Sequence, residues 1–307
     1  MSLSHTTPTT HPSQMTQRGR RGGVHSISTA DRLTSRDSWF VQRSAVTASV
    51  PAPLAELLAA MGAETPPAAM RTLPELAVPV WRVRAGAALL HEGASPESVH
   101  IVRSGSFKCL KTSEDGYEQV LAFSGPGEVL GFEALSRGRH TCSVVALEDS
   151  TVFAVPLREL DGWRQRAPAL DHALQFALSR QLARAGEIAE MMAAVAAETR
   201  LARFLMWMSA CMAERGQSPR RLYLRMSRRD IASLFGVAHE TVSRSFTALA
   251  EWGYLRVVNR EVEILDAAGL RACTRNTRGL ADDGGRAGVI PPRPRATARR
   301  HPELAVA

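Results

Sequence analysis

One segment near the carboxyl terminus restricts the fold more than any other part of this 307-residue chain. Ser227 and Asp230 have the spacing of a capping box, which predicts that a helix begins there and spans residues 228–235. Gly236 then supplies a permissive turn residue, and a second helix is predicted over residues 239–252. Two short helices joined by a tight turn make a helix-turn-helix.

The residues that follow this motif predict a small antiparallel hairpin. Gly253 ends the second helix, and two short apolar runs come after it, over residues 255–258 and 262–265. They flank a turn at Asn259 and Arg260. A hairpin directly after a helix-turn-helix makes it a winged helix-turn-helix.

Three polar side chains lie on one face of the second predicted helix. Glu240, Ser243 and Arg244 stand at positions i, i+3 and i+4. Arg can donate two hydrogen bonds to guanine, Glu can accept from the amino group of cytosine, and Ser can bond to several bases. The alternative is a solvated face with an internal ion pair between Glu240 and Arg244. Because the face belongs to a complete winged motif, we interpret it as a surface that reads duplex DNA. Three neighbours are expected to touch the same DNA: His239, Thr241 and Arg228.

The amino-terminal half has a different texture. Between residues 78 and 156, short apolar runs are separated by glycines at intervals of about 8 to 12 residues, which is typical of a compact antiparallel sandwich or barrel. We therefore predict an α+β chain with a β domain over residues 51–166 and the winged helix-turn-helix over residues 198–275. Residues 1–50 and 276–307 have no sustained apolar period and are expected to be disordered tails, the second of them basic.

A long helix is predicted between the two domains, over residues 167–197, because this stretch contains no proline after Pro168 and a single glycine. Its heptad spacing predicts an a/d-like seam for a second copy of the chain. The seam residues are Leu174, Leu178, Gln181, Ala185, Ile188 and Met192. The alternative is an amphipathic helix that packs only on its own domain.

Composition narrows the function classes. A net charge of +8 suits a polyanionic partner. The absence of a signal peptide and of a long apolar stretch predicts a cytoplasmic protein with no membrane partner. We find no catalytic motif and expect no enzymatic activity. Four widely spaced cysteines are expected to be reduced thiols rather than metal ligands: Cys109, Cys142, Cys211 and Cys273.

Five segments make the chain similar to the Crp/Fnr superfamily of transcription regulators, and more narrowly to its FNR-type branch. They are HIVRSGSFK, GEVLGFEAL, ALEDS, AAETRLARFL and HETVSR, spread over residues 75–275. The resemblance implies an N-terminal β-roll sensor domain, a dimerisation helix and a winged helix-turn-helix. It also implies a homodimer that contacts RNA polymerase. The pattern at Glu240, Ser243 and Arg244 resembles the FNR type and implies an inverted repeat of TTGAT as the DNA site.

The resemblance also bears on the sensed signal. Cyclic-nucleotide members hold the ribose with a Glu, the phosphate with Arg-Ser and the base with Thr-Ser. The corresponding residues here are Phe132, Thr141, Cys142, Ala185 and Gly186, which offer neither a ribose acceptor nor a cation. We therefore expect cyclic AMP binding to be lost, with a cyclic-nucleotide-responsive regulator as an alternative.

The family also includes members that sense through an iron-sulfur cluster or a haem. No cysteine precedes Cys109, and Phe153 stands at the β-roll ligand position, so the four thiolates of an iron-sulfur cluster are not available. A haem held by His91, His100 or His140, as in nitric-oxide-responsive relatives, stays open. Cys109 or Cys142 as a redox switch also stays open. The sequence does not distinguish an activator from a repressor.

Calorimetric titration tests the expectation about cyclic nucleotides. Cyclic AMP at millimolar concentration is expected to give no saturable heat and to leave the affinity for DNA unchanged, because Thr141 and Cys142 supply no cation for the phosphate. Saturable binding in the micromolar range would show that the pocket residues are assigned wrongly.

Overall fold

The structure, a computed structural model, describes residues 45–62 and 75–275. The predictions for residues 1–44 and 276–307 lie outside the described residues. Residues 46–50 fall inside the first strand, so the prediction that the disordered tail extends to residue 50 is wrong. The reason is pairing with a distant strand, since Val46 lies opposite Val83 in an antiparallel register that a local pattern does not reveal.

The amino-terminal domain consists of two antiparallel sheets, which confirms the predicted antiparallel β domain. Its strands are β1 (Val46–Pro53), β2 (Ala77–Val83), β3 (Ala88–Leu90), β4 (Ser98–Ser104), β5 (Phe107–Thr112), β6 (Glu118–Ser124), β7 (Val129–Leu130), β8 (Ser143–Ala146) and β9 (Ser150–Pro156). One sheet has the order β1-β2-β9-β4-β7 and the other the order β3-β8-β5-β6. Buried β-branched and aromatic residues such as Val99, Ile101 and Phe107 fill the interior of these sheets.

Among the described residues, three short helices accompany the sheets: α1 (Leu54–Ala60), α2 (Ala134–Arg137) and α3 (Leu157–Arg166). The predicted long helix follows as α4, which begins at Pro168 and ends at Met192. It is therefore five residues shorter than predicted at its carboxyl end. Pro168 occupies the first turn, where its missing N–H has no helical acceptor to lose.

The predicted seam of α4 meets different surroundings along the length of the helix. Leu174 is 4% exposed and packs in the core of its own β domain, so it is not available to a partner. Ile188 and Met192 are half-buried against the core of the carboxyl-terminal domain. The apolar period of the sequence therefore reflects, at these three positions, packing within the chain. Leu178 is half-buried, whereas Gln181 and Ala185 are exposed.

The carboxyl-terminal domain follows the sequence prediction closely. Its elements are α5 (Ala197–Glu214), β10 (Arg221–Tyr223), α6 (Arg228–Phe235), α7 (His239–Glu251), β11 (Leu255–Val258), β12 (Glu261–Ile264) and α8 (Ala267–Cys273). The first helix of the motif has the predicted bounds, the second ends one residue early, and the second wing strand is shifted by one residue. Strands β11 and β12 pair with β10 in a three-stranded antiparallel sheet.

The predicted capping box is present at the start of α6. The backbone N–H of Asp230 donates to Ser227 Oγ at 3.1 Å, and the backbone N–H of Ser227 donates to Asp230 Oδ2 at 2.8 Å. At the other end, Gly236 adopts a left-handed conformation with φ of 65°, which a side chain would disfavour. Both ends of the helix are thus fixed by the residues that the sequence singles out.

A junction joins the β5–β6 hairpin to α6, within one compact unit that includes both. Lys108 Nζ lies 2.8 Å from Asp230 Oδ1, and both side chains are largely buried. Ser233 Oγ donates to the carbonyl of Glu118 and accepts from the N–H of Val120, at 2.8 and 2.9 Å. Asp230 thus caps α6 and pairs with the β domain at the same time.

The charge of Asp230 depends on this junction. Burial acts to raise the pKa of its carboxyl group, but the hydrogen bonds from Lys108 and Ser227 outweigh burial and hold that pKa below its usual value. The ion pair therefore stabilises the folded protein when the carboxyl group is ionised.

Replacing Lys108 with Met tests the junction. We expect the free energy of unfolding at neutral pH to fall by about 1–3 kcal/mol, because Asp230 then stays largely buried without its charged donor. Lys111→Met is the matched control on the same strand, since the Lys111 ammonium is exposed and lies 4.0 Å from Glu92. Its loss should be about 0–1 kcal/mol. Urea unfolding of the three proteins measures both effects.

Wild type and Lys108→Met also allow a test of how the stability of the junction depends on pH. The folded pKa of Asp230 is depressed, so its contribution is complete above the unfolded value of about 3.9 and is lost as pH falls through the folded pKa. The stability difference between wild type and Lys108→Met should be full at neutral pH and shrink in acid. A difference that is constant with pH would contradict the ion pair.

Candidate nucleic-acid interface

The apolar side of α7 fixes how the helix is presented. Val242, Phe246 and Leu249 are buried in a cluster with Leu201 and Phe204 of α5. These three positions share one face of α7, so the opposite face is directed outward. The orientation of the polar face is therefore a consequence of core packing.

The junction between α6 and α7 has a further support. Arg200 of α5 donates from Nη1 to the carbonyl of Phe235 at 2.6 Å and from Nε to the carbonyl of Ala194 at 2.7 Å. The first bond satisfies a carbonyl at the end of α6, where helical partners run out. Sequence reasoning assigned no role to Arg200, and only its place in the motif AAETRLARFL could have indicated one.

The structure brings the predicted reading residues together on the outward face of α7. His239, Glu240, Ser243 and Arg244 are all exposed, and Thr241 is half-buried beside them. Glu240 lies 3.3 Å from His239 Nδ1. Ser243 Oγ donates to the carbonyl of His239 at 3.1 Å.

Arg244 has no competing partner on this face. Among the described residues, its guanidinium makes no ion pair and no hydrogen bond, and the alternative pairing with Glu240 is not formed. A guanidinium held on a helix face with all its donors unused can form a bidentate contact with a guanine edge.

Arg228 occupies a different position from the other predicted residues. Its guanidinium carbon lies 3.3 Å from the centre of the Phe246 ring, and Nη2 lies 3.5 Å from the carbonyl of Asn259 in the wing turn. Burial lowers the pKa of Arg228 to about 10, so it stays charged at neutral pH. Its Nη1 is buried and has no hydrogen-bond partner among the described residues.

A groove runs between α7 and the wing beside this guanidinium. Arg228, Ser243 and Thr247 line it together with Glu251 and apolar residues of α7 and β11. Arg228 thus lies between α7 and the wing rather than among the side chains of the outward face of α7.

Three of the residues aligned with the cyclic-nucleotide site are exposed to solvent. Thr141 is exposed, and Ala185 and Gly186 are exposed on α4. The carboxylates of Glu133 and Glu92 lie close enough to Cys142 to disfavour its thiolate. Negative charge beside the expected phosphate position opposes the binding of a cyclic phosphate.

The three candidate haem ligands are placed very differently. His91 is exposed, whereas His100 and His140 are buried. Both ring nitrogens of His100 lack hydrogen-bond partners among the described residues. Burial, together with the charge of His140, lowers the pKa of His100 to about 4, so its ring is neutral at neutral pH. No group of three or more His, Cys, Asp or Glu side chains in the described ranges is arranged to hold a metal ion.

The fold consists of a β-roll domain joined to a winged helix-turn-helix. The exposed polar face of α7 is typical of a DNA-binding protein. No helix in residues 45–62 or 75–275 is long and apolar enough to cross a membrane. Comparison with known proteins specifies the class further. Residues 80–166 match the cyclic nucleotide-binding domain family, and residues 199–273 match the Crp-like helix-turn-helix domain family.

Named relatives cover most of the same region. Transcriptional regulatory protein btr of Bordetella pertussis is 35% identical over 199 residues, which span 65% of this chain and 82% of that protein. Transcriptional activator protein FnrA of Stutzerimonas stutzeri is 33% identical, with 62% and 78% covered. The solved structure of FixK2 from Bradyrhizobium japonicum aligns with a TM-score of 0.51 at 25% identity, covering 67% of this chain and all of that one. The chain belongs to the Crp/Fnr family of transcription regulators.

Proposed function

We propose that the protein is a cytoplasmic, non-enzymatic transcription regulator that binds a TTGAT-like inverted repeat as a homodimer and contacts RNA polymerase. The observation that carries the proposal is the outward face of α7, on which Glu240, Ser243 and Arg244 are exposed together and Arg244 has no partner within residues 45–62 and 75–275. The β-roll receives a signal other than cyclic AMP, and no iron-sulfur cluster is involved.

In the proposed complex, α7 lies in the major groove. Arg244 donates to O6 and N7 of the guanine in the half-site, and Glu240 accepts from the amino group of a cytosine. His239 and Thr241, in the first turn, lie where the helix N-terminus attracts phosphate. Arg228, which lines the groove between α7 and the wing, contacts the phosphate backbone and positions the motif without reading sequence.

Two recognition helices about 10 base pairs apart need a twofold interface between chains. Helix α4 is proposed to supply it through the side that its own domains leave uncovered. Leu182 is 76% exposed there. Gln181 and Ala185 of the predicted seam lie beside Leu182 on α4, whereas Leu174 is buried within its own chain. A second copy would remove the apolar side chains of this face from water.

A binding competition tests the proposed function. The affinity for a TTGAT inverted repeat is expected to exceed that for a scrambled duplex of the same length by about 10³-fold or more at matched salt. Equal affinities would instead identify a nonspecific DNA binder, for which the exposed trio on α7 would have no role.

The contact of Arg244 is tested by Arg244→Ala. We expect a loss of about 1–3 kcal/mol in binding free energy and a relaxed preference at the guanine of the half-site. Arg139→Ala is the control, because Arg139 is equally exposed but belongs to the β domain. Fluorescence anisotropy with the TTGAT half-site, and with a half-site in which the guanine is replaced, separates the loss of affinity from the loss of preference. Unchanged affinity of Arg244→Ala for the inverted repeat would exclude this contact.

The proposed dimer face is tested by Leu182→Glu. Two additional carboxylates at the twofold axis without cations should convert the dimer to a folded monomer that does not bind the full inverted repeat. Val50→Glu is the control, since Val50 is 80% exposed on β1 and lies outside α4. Analytical ultracentrifugation with a mobility-shift assay measures both properties. A dimeric Leu182→Glu protein with full DNA affinity would place the interface elsewhere.

A haem-based sensor is the second candidate, and one observation favours it. His100 is buried, neutral and without partners for either ring nitrogen, as an axial ligand would be before it binds iron. An absorption spectrum of freshly purified protein tests this alternative. A Soret band that is lost in His100→Ala would support it, and a spectrum with protein absorbance only would exclude it.

A further inference from the structure

Two cysteines meet inside the β-roll. Cys109 lies on β5 opposite Val144 of β8, and the next pair in this register is Leu110 with Ser143. Cys142 directly precedes Ser143, so the two cysteines are diagonal neighbours on one face of the sheet. Both thiols are free, and both pack against the same apolar cluster of the β domain.

We propose that Cys109 and Cys142 are an oxidisable thiol pair that closes to an intramolecular disulfide when the protein meets a hydroperoxide. Diagonal neighbours on paired strands lie about 7–8 Å apart, and a disulfide needs its two Cα atoms within about 7 Å, so closure requires a small backbone movement. The pairing of β8 with β5 ends at Ser143 and does not include Cys142. Closure therefore draws residue 142 and β5 toward each other without breaking this pairing.

The two thiols have unequal roles. The hydrogen bond from Cys109 lowers the pKa of Cys142, although burial and the carboxylates of Glu133 and Glu92 act in the opposite direction. The same hydrogen bond and burial raise the pKa of Cys109. Cys142 also lies beyond the end of β8, whereas Cys109 lies on β5 between β8 and β6. Position and pKa direction together make Cys142 the thiolate that attacks and Cys109 the thiol that resolves.

The reaction balances in two steps. The Cys142 thiolate attacks one oxygen of the hydroperoxide, an S–O bond forms, the O–O bond breaks, and the departing oxygen takes a proton to leave as water or alcohol. The Cys109 sulfur then attacks the Cys142 sulfur, an S–S bond forms, and the hydroxyl group leaves as water with the Cys109 proton. Two thiols lose two electrons, and the hydroperoxide gains them.

Strand β5 connects this pair to the DNA-binding domain. Lys108, which pairs with Asp230 at the start of α6, is adjacent to Cys109. Ser124 of β6 lies 3.9 Å from Cys109 Sγ, and the same strand supplies Val120, which bonds to Ser233 of α6. A shift of β5 on disulfide closure would therefore strain the contacts that hold α6, and we expect DNA affinity to fall.

Peptide mapping tests the site without reference to DNA. The full-length protein is treated with hydrogen peroxide, alkylated and digested with trypsin without reductant. The expected product is residues 109–111 joined to residues 140–158, with two hydrogen atoms lost and reversal by dithiothreitol. A Cys211→Ser/Cys273→Ser double variant should still form it, whereas Cys109→Ser and Cys142→Ser should not. Absence of this product, or conversion of Cys142 to a sulfinic acid alone, would overturn the site.

A second arm tests transmission and rests on the proposed function. Peroxide is expected to weaken binding of the double variant to the inverted repeat by at least about fivefold, the lower range of allosteric couplings. Lys108→Met in the same background should form the disulfide, and its affinity for the inverted repeat should be the same before and after peroxide treatment. A disulfide with unchanged affinity would overturn transmission through β5. If the reduced protein shows no preference for the inverted repeat, the proposed function is wrong. The mapped disulfide would not be affected by that result.

Discussion

The interaction on which the rest of the structure depends is the pairing of the Asp230 carboxylate with Lys108 at the start of α6. The carboxylate accepts from the backbone and hydroxyl of Ser227 to begin α6, and it pairs with Lys108 from the β-roll. Because α7 packs against α6 and α5, the start of α6 helps to fix where the outward face of α7 points. One charged side chain thus links the position of the β domain to that of the DNA-binding surface.

This arrangement explains why the protein needs charge at a largely buried position. A hydrophobic contact between the hairpin and α6 would tolerate sliding, whereas a capped helix end paired with one ammonium specifies a single register. Ser233 strengthens the register, since its hydroxyl group bonds to both neighbours of Gln119 on β6. Apolar contact between Phe123 and Phe204 completes the junction. A local change in the hairpin therefore has a short physical route to the DNA-binding domain.

The sequence predicted the local elements well and the long-range contacts poorly. The capping box at Ser227, the turn at Gly236 and the wing strands depend on neighbouring residues, and the structure has them within one residue of the predicted bounds. The partner of Lys108 lies 122 positions away, and no local pattern indicates it. The heptad period of α4 was ambiguous for a physical reason, because a helix that packs on its own domain and one that packs on a second copy need the same spacing. Leu174 packs in its own domain, whereas Gln181 and Ala185 of the same seam stay exposed.

The central claim is that α7 reads base edges with Arg244 while the junction with the β-roll stays intact. A crystal structure of the reduced protein bound to a TTGAT inverted repeat tests it most directly. The account predicts one α7 in each major-groove half-site, with the Arg244 guanidinium within about 3 Å of guanine O6 and N7, and Lys108 still paired with Asp230. Recognition helices outside the major groove, or an Arg244 that contacts only phosphate, would contradict it.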